Sequence, residues 1–320
     1  MDAESSARRS QSGWRRGATA GGDAVTAETP HYARPGAFRR ALTDRLRALA
    51  GQSRWTLAQL QRQIAYDRLL ERLYLVDEGW VLKGAAALLA RDLGMRATID
   101  IDLYRAKAQA VAEAELRAAA ERDIGDWFHF EITAGHMVDA GIRLPTTAYI
   151  GPTVWAQFHV DLVGADLRMT GEPEPVPPLA RIVMPDVEQH GYRVYPLVDH
   201  IADKVVATFQ LYGEQKRPST RYKDLVDLVS ITKGASVNAG PQLVALASES
   251  ERRGVPLPQR FDVPDRDLWE RGYTAEAARS VLAVGRSLDE ALAVVRPFLD
   301  PLLAGEAAGR WDPKLARWVG

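Results

Sequence analysis

The chain has 320 residues, 46% of them hydrophobic and 26% charged, a mix that suits a soluble globular protein with room for two cores and excludes a fibrous or wholly disordered chain. A formal charge of −1 gives no global field toward nucleic acid, so any such contact must come from a local basic patch, and the absence of cysteine excludes disulfides and thiolate metal sites. The longest apolar run, around Ala85, falls far short of the ~20 residues of a membrane span; with no secretory signal at the start, the expected location is the cytoplasm, without membrane contact.

Residues 1–34 are rich in Ser, Gly, Ala, Thr and Arg and nearly lack large apolar side chains, so they are expected to form a disordered tail. Helices follow over 37–50 and 56–74, the second on the stripe Leu57, Leu60, Ile64 and Leu73. The first carries Arg39, Arg40, Arg45 and Arg47 against only Asp44, and Arg54 lies in the connection. A basic helix is commonly a solvated face. Together with Arg217 and Arg221, these residues are nonetheless the candidates for phosphate contacts.

A short strand over 80–82 runs into Lys83-Gly84-Ala85-Ala86-Ala87, the start of a helix over 84–93. Small residues at a helix N-terminus let phosphate approach the backbone N–H groups, and they equally let a helix pack closely. The next strand, 98–104, alternates apolar and acidic residues. Its period of two sends Ile99, Ile101 and Leu103 toward a core and sets Asp100 and Asp102 together on the other face, roughly 7 Å apart. Two carboxylates so placed repel each other unless a cation neutralises them, and Mg²⁺ takes one or two carboxylates plus substrate phosphates. Alone, the pair reads equally as the exposed acidic edge of a half-buried strand.

A helix over 107–122 and strands over 127–133 and 154–163 come next. In the last, Val154, Ala156, Phe158, Val160 and Leu162 are assigned to one face and Trp155, Gln157, His159 and Asp161 to the other. Asp161 would supply a third carboxylate to a two-metal site. The Pro-rich run Glu172 to Pro178 reads as a stiff connector outside any sheet. Extended pieces over 181–184 and 192–195 lead to helices over 198–212, 220–232, 241–253, 275–283 and 288–299. Lys204 sits on the first of these. Asp224 and Asp227, three residues apart on the second, share a face; surface pairs such as Lys223 with Asp227 are the plainer alternative.

The ordered set Val81-Leu82-Lys83-Gly84-Ala85-Ala86-Ala87-Leu88, Arg96-Ala97-Thr98-Ile99-Asp100-Ile101-Asp102-Leu103, Asp203-Lys204 and Arg221-Tyr222-Lys223-Asp224-Leu225-Val226-Asp227-Leu228 resembles the nucleotidyltransferase superfamily. More closely, it resembles the AbiEii/AbiGii-type toxins of bacterial toxin–antitoxin systems, over roughly residues 75–232. The resemblance implies a nucleotidyltransferase-like mixed α/β domain over 35–197 and a mainly helical domain over 198–320. It implies that Asp100 and Asp102 bind Mg²⁺ or Mn²⁺, that Lys83, Gly84 and Thr98 lie on the nucleotide side, and that Lys204 and Asp224 are needed for activity, with Arg221 in the same motif. It further implies NTP as substrate, the 3′ end of tRNA or a protein as acceptor, no DNA contact, and a cognate antitoxin that silences the enzyme by modifying Thr98 or by covering the cleft. Ala85 stands where the family usually has a second glycine. An Asp-x-Asp glycosyltransferase would explain Asp100 and Asp102 without the flanking motifs, and an inactive nucleotidyltransferase-fold binding module would explain the fold without the intact acids.

Overall fold

The computed structural model describes residues 31–93, 98–138, 141–164, 167, 169–180 and 182–320. The tail expected over 1–34 lies outside the described residues as far as residue 30, as do Arg96 and Ala97 of the second motif. Residues 31–34 are tied down: the His31 and Tyr32 N–H groups donate to the Asp186 carboxylate at 3.0 and 3.2 Å.

Helix α1 (Pro35–Gly51) opens on a proline, whose missing N–H costs nothing in a first turn. It buries Phe38, Leu42 and Leu46. Helix α2 (Leu57–Val76) opens on a capping box: the Thr56 hydroxyl accepts from the Gln59 N–H, and the Gln59 side chain accepts from the Thr56 N–H. From Gln63 to Tyr74 α2 is buried on every side, which its sequence stripe did not indicate. Its polar groups are therefore satisfied internally. Asp67 accepts from the Leu179 and Ala180 N–H groups, and Arg68 and Arg72 both grip Asp126.

Strands β1 (Trp80–Lys83), β2 (Asp100–Arg105), β3 (Phe128–Ile132), β4 (His136–Val138), β5 (Gly141–Ile150), β6 (Thr153–Val163), β7 (Glu174–Val176) and β8 (Tyr192–Val194) form one mixed sheet in the order β3-β5-β6-β2-β1-β8-β7, with β4 added beside β5. Helices α3 (Gly84–Ala90) and α4 (Gln109–Ala120) pack against it. The mixed α/β class is as expected, and several particulars differ. Strand β5 has no counterpart in the sequence reading, because Gly141 and Pro145 argue against a central strand. The Pro145 carbonyl accepts from the Thr133 N–H at 3.0 Å. The N–H that proline lacks would have faced the same side, at the break between β3 and β4, where no ladder bond is lost.

The Pro-rich run does enter the sheet, as edge strand β7, where proline is tolerated. In β6 the alternation holds from Ala156 to Leu162, but a bulge opposite Ala148 and Tyr149 inserts Trp155. The extra residue swaps the faces beyond it, so Trp155 is buried and Val154 exposed, the reverse of the alternation. The buried indole donates to the Gln61 carbonyl at 2.9 Å. Ile99 precedes β2 and stands exposed at the cleft, while Ile101 and Leu103 are fully buried as expected.

The C-terminal half comprises α5 (Leu197–Phe209), α6 (Tyr222–Gly234), β9 (Val237–Asn238), α7 (Ala239–Arg253), α8 (Arg266–Ala278), α9 (Leu288–Leu303), β10 (Arg310–Asp312) and β11 (Arg317–Val319), the three strands forming a small second sheet. Helix α8 starts well before the expected 275–283. Asp265 caps it by accepting from the Leu268 N–H, and Trp269, Tyr273 and Ala277 form its buried stripe. Among the described residues two large apolar clusters result, beside a small third one of Val81, Tyr104 and Tyr195. One lies under the large sheet and includes Phe38, Leu69, Ile101 and Val160; the other joins Leu88 to Ile201, Leu225, Trp269 and Phe298. Among the described residues no helix is long and apolar enough to cross a membrane.

Candidate active site

Four adjacent strands place four charged residues in one row. Lys83 on β1 is opposite Asp102 on β2, Asp102 is opposite Asp161 on β6, and Asp161 is opposite Arg143 on β5. Paired residues of neighbouring strands project to the same face, and the apolar alternates Ile101, Leu103, Val160 and Leu162 fill the core on the other. Asp100 lies one alternation away, opposite His159. The row therefore reads plus, minus, minus, plus, with a further carboxylate beside it.

Gly84 closes one side. Its φ of +61° is a left-handed conformation, and a Cβ built there would lie 1.8 Å from Asp102 Oδ2. Only glycine lets the β1–α3 turn press against this carboxylate, whereas Ala85 already sits in the helix with its methyl buried. Gly84→Ala is expected to cost about 1–3 kcal/mol of stability from the backbone conformation and to displace Asp102. A lower melting temperature in a variant that still melts cooperatively would be the measurement.

Arg143 holds Asp161 with two parallel hydrogen bonds, Nε to Oδ1 at 2.7 Å and Nη2 to Oδ2 at 2.6 Å, and its Nη2 is 3.8 Å from Asp100 Oδ2. His159 Nδ1 is 3.1 Å from Asp100 Oδ1. The Thr98 hydroxyl donates to the Asp100 carbonyl and accepts from the Asp100 N–H, fixing the entry to β2. Burial, then the neighbouring Asp161 carboxylate, push Asp102 up to about 6, against the pull of Lys83. Lys83 itself lies over the Tyr195 ring, 4.3 Å from its centre, with Asp203 at 3.8 Å. Burial lowers its pKa.

The helical half supplies the opposite wall. Lys204 on α5 donates to Asp224 at 2.9 Å and to Asp227 at 2.7 Å, both on α6, and Arg221 at the α6 N-terminus also bonds Asp224. Burial alone would lower Lys204, but the two carboxylates outweigh it and hold the ammonium charged. Burial likewise works against the Asp224 carboxylate, yet Lys204 and Arg221 keep it below the usual range. Asp227 thus turns inward to Lys204 and does not form a surface pair with Lys223.

A cleft of about 730 Å³ is lined by Gly84, Thr98, Asp100, Asp102, Asp161, Lys204, Arg221 and Asp224, so it gathers every expected site residue except Lys83. Its wall also holds Arg54, Trp55, Arg143 and Lys223. Arg143 was missed because its strand was missed. Arg54 stacks on Trp55 at 4.3 Å, a pairing that their adjacency in sequence could have suggested. The arginines chosen for phosphate contact do not converge. Arg54 and Arg221 line the cleft, but α1 begins where Pro35 meets Gly151, at the β5–β6 turn, roughly 25 Å along β6 from Asp161. Arg39 and Arg40 belong to that far end.

Among the described residues no three Asp, Glu or His side chains converge as a ready-made metal site. The donor set is two hard oxygen ligands, Asp100 and Asp102, on one strand face, with the Asp102 carboxylate destabilised by burial and then by its acidic neighbour. That set fits Mg²⁺ or Mn²⁺ completing its shell with water and phosphate oxygens.

A family model described as the nucleotidyl transferase AbiEii toxin of a type IV toxin–antitoxin system matches residues 68–294. Among solved structures, MenT4, a nucleotidyltransferase toxin of Mycobacterium tuberculosis, is 15% identical, with 80% of this chain and 99% of that one covered and a TM-score of 0.47. JHP933 of Helicobacter pylori is 17% identical, with 77% of this chain and 93% of that one covered and a TM-score of 0.44. No curated protein matches the chain.

Proposed function

This chain belongs to the AbiEii nucleotidyltransferase toxin family, and on that premise we propose that it transfers a nucleoside monophosphate from an NTP to the 3′ end of tRNA, using Mg²⁺ or Mn²⁺. Membership makes it a nucleotidyltransferase toxin with an antitoxin partner. The observation that carries the finer reading is the convergence of Asp100, Asp102, Lys204, Arg221 and Asp224 on one cleft.

Asp100 and Asp102 would hold the divalent cation, which when bound withdraws charge from the phosphates and favours the ionised acceptor hydroxyl. The NTP lies along the Gly84 turn, with Lys204 and Arg221 offered to its phosphate oxygens. Asp224 holds both of these cations in place. The acceptor oxygen bonds to the α-phosphorus as the bond to the departing pyrophosphate breaks, and the acceptor proton is released. The protein contributes position and preorganised charge. The boundary between sheet and helical domains is proposed at 197/198, with the cleft at their junction.

For the acceptor, support comes from the family resemblance and from Arg54, Trp55 and Lys223 in the cleft wall, side chains suited to the phosphates and splayed bases of an RNA end. Incubation with each labelled NTP, total tRNA and Mg²⁺ is expected to place label on the tRNA 3′ end, and the Asp102→Ala protein is expected to place none. Label on a protein, or turnover of a sugar nucleotide without pyrophosphate release, would replace this reading. The double variant Arg54→Glu/Lys223→Glu is expected to weaken tRNA labelling about tenfold at physiological salt while NTP affinity, read by calorimetry, stays as in the parent.

A further inference from the structure

We infer that the guanidinium of Arg143, bound to Asp161 and close to Asp100, takes the place of a second cation beside these carboxylates, so that the enzyme works with a single divalent ion. The inference rests on the proposed cation chemistry at Asp100 and Asp102.

Arg143 sits at the end of the four-strand row, paired in register with Asp161. It saturates both Asp161 oxygens at 2.7 and 2.6 Å and comes within 3.8 Å of Asp100. A positive group therefore already stands between the third carboxylate and the first, where a second divalent ion would have to bind. The pair is bidentate and well aligned, and the Arg143 side chain is only 35% exposed. An incoming ion would have to break two charge-assisted bonds and leave a guanidinium repelling it at close range. A guanidinium has five donors. The two bonds to Asp161 leave others for an oxygen of the acceptor or of the α-phosphate, the same oxygens a second metal would contact. Asp161 then serves to position Arg143.

The test counts bound Mn²⁺ on the full chain by electron paramagnetic resonance, with a saturating NTP analogue that cannot be split between the α- and β-phosphorus. The parent protein is expected to hold one Mn²⁺. Arg143→Met, of similar length and uncharged, is expected to hold two, and Arg143→Lys, which keeps the charge, one. Two ions on the parent protein, or one on a folded Arg143→Met, overturns the inference and leaves the cation at Asp100 and Asp102 intact. No ion on the parent removes that cation, and this inference falls with it. If Arg143→Met does not fold, the count is made on Arg143→Gln, for which two ions are again expected and one would overturn the inference.

Discussion

Replacing Asp102 by Asn is expected to reduce nucleotidyl transfer by about 10³-fold or more and, in the absence of divalent cation, to raise the melting temperature by several degrees. Both effects have one source. Asp102 is buried beside Gly84 and set opposite Asp161, and burial first, then the Asp161 charge, hold it at about 6 instead of its usual 3.8. An ionised carboxyl in that position costs the folded chain on the order of 3 kcal/mol at neutral pH. Asparagine keeps the shape and removes the charge, a trade of function for stability common at catalytic sites. The folded-state value lies above the unfolded one, so between 3.8 and about 6 the folded chain binds a proton that the unfolded chain has released. The contribution of this group to stability is complete below 3.8 and is lost as pH rises through about 6. The melting-temperature gap between the Asn variant and the parent should therefore be small at pH 4 and open as pH passes 6, measured with chelator present. Added Mg²⁺ should stabilise the parent, by mass action on the folded state, and leave the variant unmoved. A gap of constant size across that range would mean that burial and the Asp161 charge do not penalise an ionised Asp102 as assigned.

The acidic face of the site was legible because strand alternation is a local property. Ile101 and Leu103 fix which way β2 faces, Val160 and Leu162 do the same for β6, and the carboxylates follow with no knowledge of the rest. The row itself was not legible, since it depends on which strands become neighbours. That β2 runs beside β6 in parallel, with Asp102 opposite Asp161, is set by long-range packing that no window of sequence contains. Arg143 shows the cost of this. Its strand holds Pro145, a residue that normally argues against a central strand, and the exception depends on the break between β3 and β4. Trp155 failed for a different reason: a single inserted residue inverts every assignment beyond it, and the pattern alone cannot show where the insertion lies. Helix α8 was available and overlooked, since Asp265 as cap with Trp269, Tyr273 and Ala277 at helical spacing is a complete local signal.

Lys204 and Asp224 are expected to fail in different ways when replaced. Lys204→Met removes the ammonium that neutralises two buried carboxylates, Asp224 at 6% and Asp227 at 1% exposure. Breaking a buried pair from one side costs about 3–5 kcal/mol, so this variant should lose transfer activity and also unfold at markedly lower urea. Asp224→Asn leaves Lys204 bonded to Asp227 at 2.7 Å and shifts the loss to Arg221, whose side chain reaches solvent. Its stability cost should be about 1–2 kcal/mol, with activity still lost because Arg221 and Lys204 are no longer held to the same anchor in the cleft. Asp224→Asn is therefore the variant that reports on chemistry, and Lys204→Met reports mostly on folding. The double variant Lys204→Met/Asp227→Leu separates the two. Removing charge from both sides of one buried pair relieves most of the desolvation penalty, so the urea midpoint should move back toward that of the parent while labelling of the acceptor stays absent. Recovery of labelling along with stability would show that Lys204 serves only to hold α5 against α6 and takes no part in handling phosphate.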